Sequence, residues 1–192
     1  EGKTNKGNPD LKPEESEAFE VGLKYNTYFL RAHIAGFYRK GKNMIDWVKE
    51  KPEDIWESQN LTKVDNLGFE TNLSLLPREL GNERFFIRKI ELGYAFIHQD
   101  KDSEGYISNY ALDYLKHKFT AQLSHSIWKG FSATWYVRWQ DRAGSYTKYE
   151  NLKPAYEEPY APYCLVDMKV NWEYQRLNLY AELNNLLNST YY

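Results

Sequence analysis

Four histidines, one cysteine and a short acidic run are the residues whose types could support catalysis or metal binding. His33, His98, His117 and His125 stand far apart, and none has a second ligand at the spacing that zinc sites use. His98 and His117 flank one polar stretch, so they are the pair the chain could bring together. Cys164 has neither a histidine nor another cysteine near it and reads as an unreactive thiol. Asp100, Asp102 and Glu104 alternate and offer oxygen to a hard cation, but calcium needs about six to eight converging oxygens, so the plainer reading is a solvated loop. Gly105 and Gly144 are isolated, and no serine sits in a nucleophile-elbow pattern. No catalytic group, metal set or cofactor is therefore expected. What remains is aromatic. Trp47, Trp56, Tyr106, Tyr110, Tyr146, Tyr149 and Tyr156 fall in polar stretches, where they could stack on and hydrogen-bond a large polarisable ligand. Packing against one another is the competing use.

Those aromatics belong to a chain of 192 residues with 17 Tyr, 6 Trp and 9 Phe. The 25 basic and 27 acidic residues nearly cancel, leaving no footprint for nucleic acid. A mean hydropathy of -0.77 and no long apolar run exclude a helical membrane span. They leave a membrane barrel open, because only alternate residues of a barrel strand face lipid. Glu1 to Asn8 shows no export leader. Tyr191 and Tyr192 follow a turn-like stretch, Asn184 to Ser189, as though another strand should come next. Both ends are thus expected to continue in a longer protein.

Period-two alternation, the mark of a strand with unlike faces, recurs along the chain. Phe19, Val21, Leu23 and Tyr25 alternate with Glu20 and Lys24 over Glu17 to Tyr25. Further strands are predicted from Phe29 to Arg39, Lys63 to Leu75, Phe86 to Ile97, Lys118 to Ile127, Phe131 to Gln140, Tyr163 to Tyr174, and Leu177 to Asn184. Arg88 is the one charge on an otherwise apolar face. Short turns near 26–28, 76–85, 128–130 and 174–176 alternate with three long loops, Lys40 to Leu61, His98 to Lys116 and Asp141 to Pro162. Strands of about nine to twelve residues exceed the soluble norm and suit a tilted bilayer crossing. Alternating short turns and long loops is a feature of outer-membrane barrels. The polar face carries Arg31, Glu70, Lys89, Glu91, Arg138, Asp167, Lys169 and Glu173, which suit a wet lumen. Trp128, Trp135, Trp139 and Trp172 fall on the apolar face as lipid-facing or girdle residues. The expected fold is all-β, an antiparallel transmembrane β-barrel segment of about eight strands.

Asn8-Pro9-Asp10-Leu11-Lys12-Pro13-Glu14, followed by Ser16, Phe19-Glu20 and Gly22, resembles an element that leads into a barrel strand in TonB-dependent outer-membrane receptors. Asn66-Leu67-Gly68-Phe69-Glu70 is similar to the Gly-x-Glu strand of that family, and Leu183 to Tyr192 to the segment before its last strand. The resemblance covers nearly the whole chain. It implies the C-terminal region of a plugged barrel of about 22 strands, with the plug and the final strand outside this sequence. It further implies import of a large scarce nutrient, of the cobalamin or ferric siderophore class, driven through TonB. The implied partners are the plug, the remaining strands, the TonB complex and outer-membrane lipid. Arg31 and Arg138 would then touch the plug. Two rivals are a soluble β-rich glycan-binding module and a barrel enzyme; the second requires a rim acid, base and nucleophile that the sequence does not group.

Overall fold

The computed structural model describes residues 5–51, 53–81, 85–102, 105–108, 114–150 and 153–191. Eight long strands follow one another: β1 (Glu15–Asn26), β2 (Leu30–Lys49), β3 (Trp56–Leu75), β4 (Ile87–Asp102), β5 (Tyr114–Trp128), β6 (Phe131–Ala143), β7 (Tyr163–Tyr174) and β8 (Leu177–Leu183). Each pairs antiparallel with the next in one up-and-down sheet. β1 and β8 form its two edges and are not paired with each other. The segment is therefore an open stave of a barrel wall.

The short turns are built as the sequence predicts. Lys129 and Gly130 join β5 to β6, with Gly130 at φ 78°, where a side chain would also meet the Glu173 carbonyl at 2.6 Å. Pro77–Leu80 forms a single 3₁₀ turn between β3 and β4. Arg88 is the extra residue of a bulge, since Ile87 pairs with His125 and Lys89 with Ser124. The bulge turns Arg88 off the apolar face, and its Nε donates to Ser126 Oγ at 2.9 Å.

The three long loops need correction. β2 and β3 keep one register well past Lys40 and Leu61, with Trp47 opposite Ser58 and Val48 opposite Glu57. β4 runs on to Asp102, β5 begins at Tyr114, and β6 continues to Ala143. Within 141–162 a separate hairpin, Ser145–Glu150 with Lys153–Pro159, stands off the main sheet. Beyond the apolar zone the strict period-two alternation in hydropathy breaks up, with Met44, Ile45, Trp47 and Val48 nearly consecutive, while the hydrogen-bond ladder continues.

Register gives the tilt. Gly22, at the middle of the apolar stretch Phe19 to Tyr25, lies level with Ala35, Glu70, Ala95, Lys118, Gln140 and finally Tyr163. Tyr180, the middle of β8, lies level with Asn171. The apolar belt thus slides eight residues along β7 across seven strand boundaries. With about 3.3 Å per residue and about 4.8 Å per strand, the strands lean about 38° from the perpendicular to the belt, the lean of a membrane barrel.

Candidate functional site

The convex face carries Tyr25, Ala32, Leu73, Leu92, Ala121, Val137 and Val166 as one continuous line across seven strands. Many of these outward side chains are open to the surroundings, Leu23 at 74% and Trp128 at 79% exposure. So large an apolar surface on every strand calls for lipid. Toward the turns it ends in Phe131 and Trp172, stacked at 6.0 Å, and Tyr174, stacked on Trp172 at 5.9 Å. Toward the other end it carries Tyr94, Phe96, His117 and Trp139; Tyr94 Oη and His117 Nδ1 share a hydrogen bond of 2.8 Å. On the same face the Trp135 indole N–H donates to His125 Nε2 at 3.1 Å, which satisfies both polar groups where lipid offers no partner. His98 and His117 sit on adjacent strands, but among the described residues no three acidic, histidine or cysteine side chains converge. Asp100 lies opposite Asp65; the side chains of Asp102 and Glu104 lie outside the described residues.

The concave face is polar. A hollow of about 660 Å³ runs along it, lined among others by Lys24, Arg31, His33, Glu91, Lys118, Arg138 and Asp167. Lys89 pairs with Glu91 at 2.8 Å, Lys169 with Glu182 at 2.8 Å and Arg138 with Asp167 at 4.0 Å. Arg31 and Arg138, both singled out from sequence, are thus brought to one hollow. Lys24 and Lys118 join them and were missed, although alternation with Leu23 and Phe119 puts both on this face.

The motif leading into β1 is a strap. Asn8 N donates to Ser58 Oγ at 3.0 Å, Lys12 N donates to Asn60 Oδ1 at 2.8 Å, and Glu14 Oε1 accepts from Ile45 N at 2.8 Å. Asn60 Nδ2 donates back to the Lys12 carbonyl at 3.0 Å and to that of Asn43 at 2.6 Å. Asn5–Lys6 then adds a parallel strand to Trp56 and Glu57 of β3. From the other side, Ile107–Ser108 pairs with Val48 and Lys49 of β2, and Ser108 Oγ donates to the buried Asp46 carboxylate. Ser58 and Asn60 alternate to one face of the β2–β3 ribbon and Asp46 to the other, so the ribbon is held on both faces. Nothing in the alternation of the polar stretch could have singled out Asn60. Asn60→Ala removes three hydrogen bonds and is expected to loosen residues 5–14 by about 1–2 kcal/mol, read as faster amide exchange there with the β5–β6 ladder unchanged.

The predicted loop aromatics divide. Trp47 and Trp56 stand half-buried on the strapped ribbon, with Lys49 Nζ 4.6 Å over the Trp56 ring. Tyr106 is half-buried just before Ile107, and Tyr110 lies outside the described residues. The Tyr146 and Tyr160 rings meet at 5.6 Å, tilted by 36°, and the Tyr146 hydroxyl donates to Glu158 at 3.1 Å. Arg142 lies 4.3 Å over the Tyr160 ring. Tyr149 and Tyr156 remain 66% and 50% exposed and are the most open of the described members of the set.

The same hairpin holds an exposed ion pair, Lys148 to Glu158 at 2.9 Å. Hydrogen bonds from Lys148 first and Tyr146 second hold the Glu158 carboxyl below its ordinary range, and Glu158 in turn holds Lys148 above its own. A depressed carboxyl contributes stability above its unfolded pKa and loses it as pH falls through the folded one. The ion pair is therefore expected to hold at neutral pH and to be lost in acid, below the ordinary carboxylate range, while the backbone ladder of the hairpin stays paired. Carboxyl-carbon NMR should place the Glu158 midpoint low, with Lys148→Gln raising it more than Tyr146→Phe; a midpoint at the free-glutamate position would refute the pairing.

Comparison with known proteins follows the same line. The sequence model described as "TonB dependent receptor-like, beta-barrel" matches residues 2–186. The vitamin B12 transporter BtuB of Vibrio vulnificus is 28% identical over 105 residues, 47% of this chain and 17% of that protein. BtuB of Photobacterium profundum is 26% identical over 133 residues, 66% of this chain and 21% of that protein. The chain therefore spans about a fifth of these relatives. Among solved structures, the FrpB iron transporter of Neisseria meningitidis superposes with a TM-score of 0.68 at 17% identity, over 98% of this chain and 29% of that one. The ferric enterobactin receptor of Pseudomonas aeruginosa gives 0.68 at 20% identity, over 95% and 27%. At such identities these likenesses establish the fold. Barrels of the matched family are bacterial outer-membrane receptors and transporters that work with a plug domain and TonB. A leaning antiparallel wall, apolar outside and charged inside, matched by that family over nearly its full length, has one assignment: the chain belongs to the TonB dependent receptor-like beta-barrel family.

Proposed function

We propose that this chain is the C-terminal part of the barrel wall of a receptor that imports a large, scarce nutrient of the cobalamin or ferric siderophore class, with energy delivered through TonB. The observation that carries this reading is the family match over residues 2–186 on a sheet with a lipid-suited convex face and a charged concave one. The named vitamin B12 transporters among its relatives favour cobalamin within that class. In this reading the plug and the remaining strands, the last included, come from the rest of the receptor, and Arg31 and Arg138 face the plug. The aromatics Trp47, Trp56, Tyr106, Tyr110, Tyr146, Tyr149 and Tyr156 contact ligand, with Tyr149 and Tyr156 the most open of those described. The test is uptake by a strain without its own receptor, supplied with the full-length gene. Growth on limiting cyanocobalamin or on a ferric siderophore is the expected result, weakened by Tyr149→Ala with Tyr156→Ala. Failure to grow on either class, with the receptor present in the outer membrane, would overturn the reading.

A further inference from the structure

We propose that Arg78, Arg88 and Ser126 form a seat for the phosphate of an anionic phospholipid, at the short-turn end of the wall. The ground is a convergence of like charges. Arg78 sits in the 3₁₀ turn between β3 and β4, and Arg88 is the extra residue of the β4 bulge. Both reach Ser126 near the end of β5, where Arg78 Nη2 donates to Ser126 Oγ at 2.6 Å and Arg88 Nε at 2.9 Å. A hydroxyl oxygen has two lone pairs, so Ser126 is filled as an acceptor and its own proton is left to donate. Arg78 Nε donates to the Phe85 carbonyl at 2.9 Å, which fixes this guanidinium from a second side. Among the described residues neither arginine has an ion pair. Two cations held on one neutral oxygen repel each other, and an anion that accepts from both replaces that repulsion with charge-assisted hydrogen bonds.

The donors that remain decide which anion fits. Arg88 keeps both Nη groups and Arg78 keeps Nη1, beside the Ser126 hydroxyl proton. A carboxylate is planar and suits one guanidinium fork, whereas a tetrahedral phosphate offers oxygens to two forks at once. The surroundings then favour a lipid as its source. Ser126 directly precedes Ile127 and Trp128, the exposed apolar end of β5, and its backbone N–H donates to the Phe86 carbonyl at 2.7 Å. Leu80, Phe85 and Phe86 are exposed as well, on the elements that carry the two arginines. A soluble phosphate makes no use of such apolar surface, while an acyl chain continues from it onto the convex face.

The proposal goes beyond the import reading and depends only on a wall that stands in the outer membrane, so its test does not use uptake. The full-length receptor is placed in phosphatidylcholine nanodiscs doped with photoreactive phosphatidylglycerol or with its phosphatidylcholine counterpart, and labelled residues are located by mass spectrometry. The choline cation opposes the arginines and the glycerol headgroup does not. Trp172 and Tyr174, at the same end of the wall but beside a single arginine, Arg176, report ordinary lipid contact. Relative to them, phosphatidylglycerol is expected to label Phe85, Phe86 and Trp128 severalfold more than phosphatidylcholine does. Arg78→Gln with Arg88→Gln should remove this excess in a receptor that still shows heat modification. Equal labelling by the two probes in the unaltered receptor overturns the proposal without any variant, as does an excess that survives the double substitution. An excess abolished by millimolar inorganic phosphate at constant ionic strength would assign the site to soluble phosphate and overturn the lipid assignment.

Discussion

Leu123→Arg is expected to destabilise the folded wall by about 2–4 kcal/mol, the cost of an arginine at the midplane of a bilayer. Leu123 is the middle of the outward series Phe119 to Ile127, and it lies level with Leu75, Ile90, Trp135, Met168 and Leu183. No carboxylate stands in that line to receive a guanidinium. One residue away, Gln122 points to the concave side between Glu91 and Tyr136. Gln122→Arg is therefore expected to cost under about 1 kcal/mol, since it gains a carboxylate neighbour in a wet lumen. The check is urea-dependent folding of the full-length receptor into lipid vesicles, comparing the two variants. Equal losses at positions 122 and 123 would mean that the faces have been assigned wrongly.

The second large effect is expected at Gly68, the glycine of the Gly-x-Glu strand. Phe37 lies across the strand boundary with its ring over this residue, and a Cβ on Gly68 would come within 2.5 Å of that ring and 2.5 Å of the Phe96 carbonyl. The ring can shift, but the carbonyl is part of the β3–β4 ladder and cannot move without straining it. Gly68→Ala is expected to cost about 1–3 kcal/mol, as overpacking does. Phe37→Leu in the same molecule should restore only the part owed to the ring. Gly36 provides the contrast, because nothing lies closer than 3.9 Å to a Cβ there and Gly36→Ala should be tolerated. The midpoint of heat modification on semi-native gels reads all three; a Gly68→Ala variant as heat-stable as Gly36→Ala would refute the account.

How far the sequence reaches depends on where lipid does the patterning. Along Tyr163 to Tyr174, both ends of the predicted strand agree with the structure, because every second residue there is apolar up to the turn. Along Leu30 to Lys49 the prediction stops at Arg39, ten residues short, because the ribbon beyond is shielded by the strap and the paired 107–108 segment rather than by lipid. Backbone pairing continues there without the period-two alternation that lipid on one face imposes, so hydropathy does not report it. Arg88 read as a fault in a regular strand, and it became intelligible only with the bulge that re-aims it. The concave cations were legible in kind, since alternation put Arg31 and Arg138 on the polar face. That Lys24 and Lys118 share their hollow follows from register across five strands, which no local pattern encodes. For the aromatics, the sequence offered candidates, and among the described ones exposure separates Tyr149 and Tyr156 as the most open.

The sequence separations within the strap predict an order in time. The β2–β3 ribbon closes from its own tip by pairing residues close in sequence, such as Val48 with Glu57. Asn8 meets Ser58 across 50 residues, Lys12 meets Asn60 across 48, and Asp46 meets Ser108 across 62. Contacts that close long loops form late, after the local ones have removed most of the chain's freedom. A nascent wall should thus present the ribbon before it is fastened, and the final fastening steps draw the chain on both flanks of the first four strands into place. Assembly would end at the rim, with the ribbon acting as the post to which its neighbours are tied.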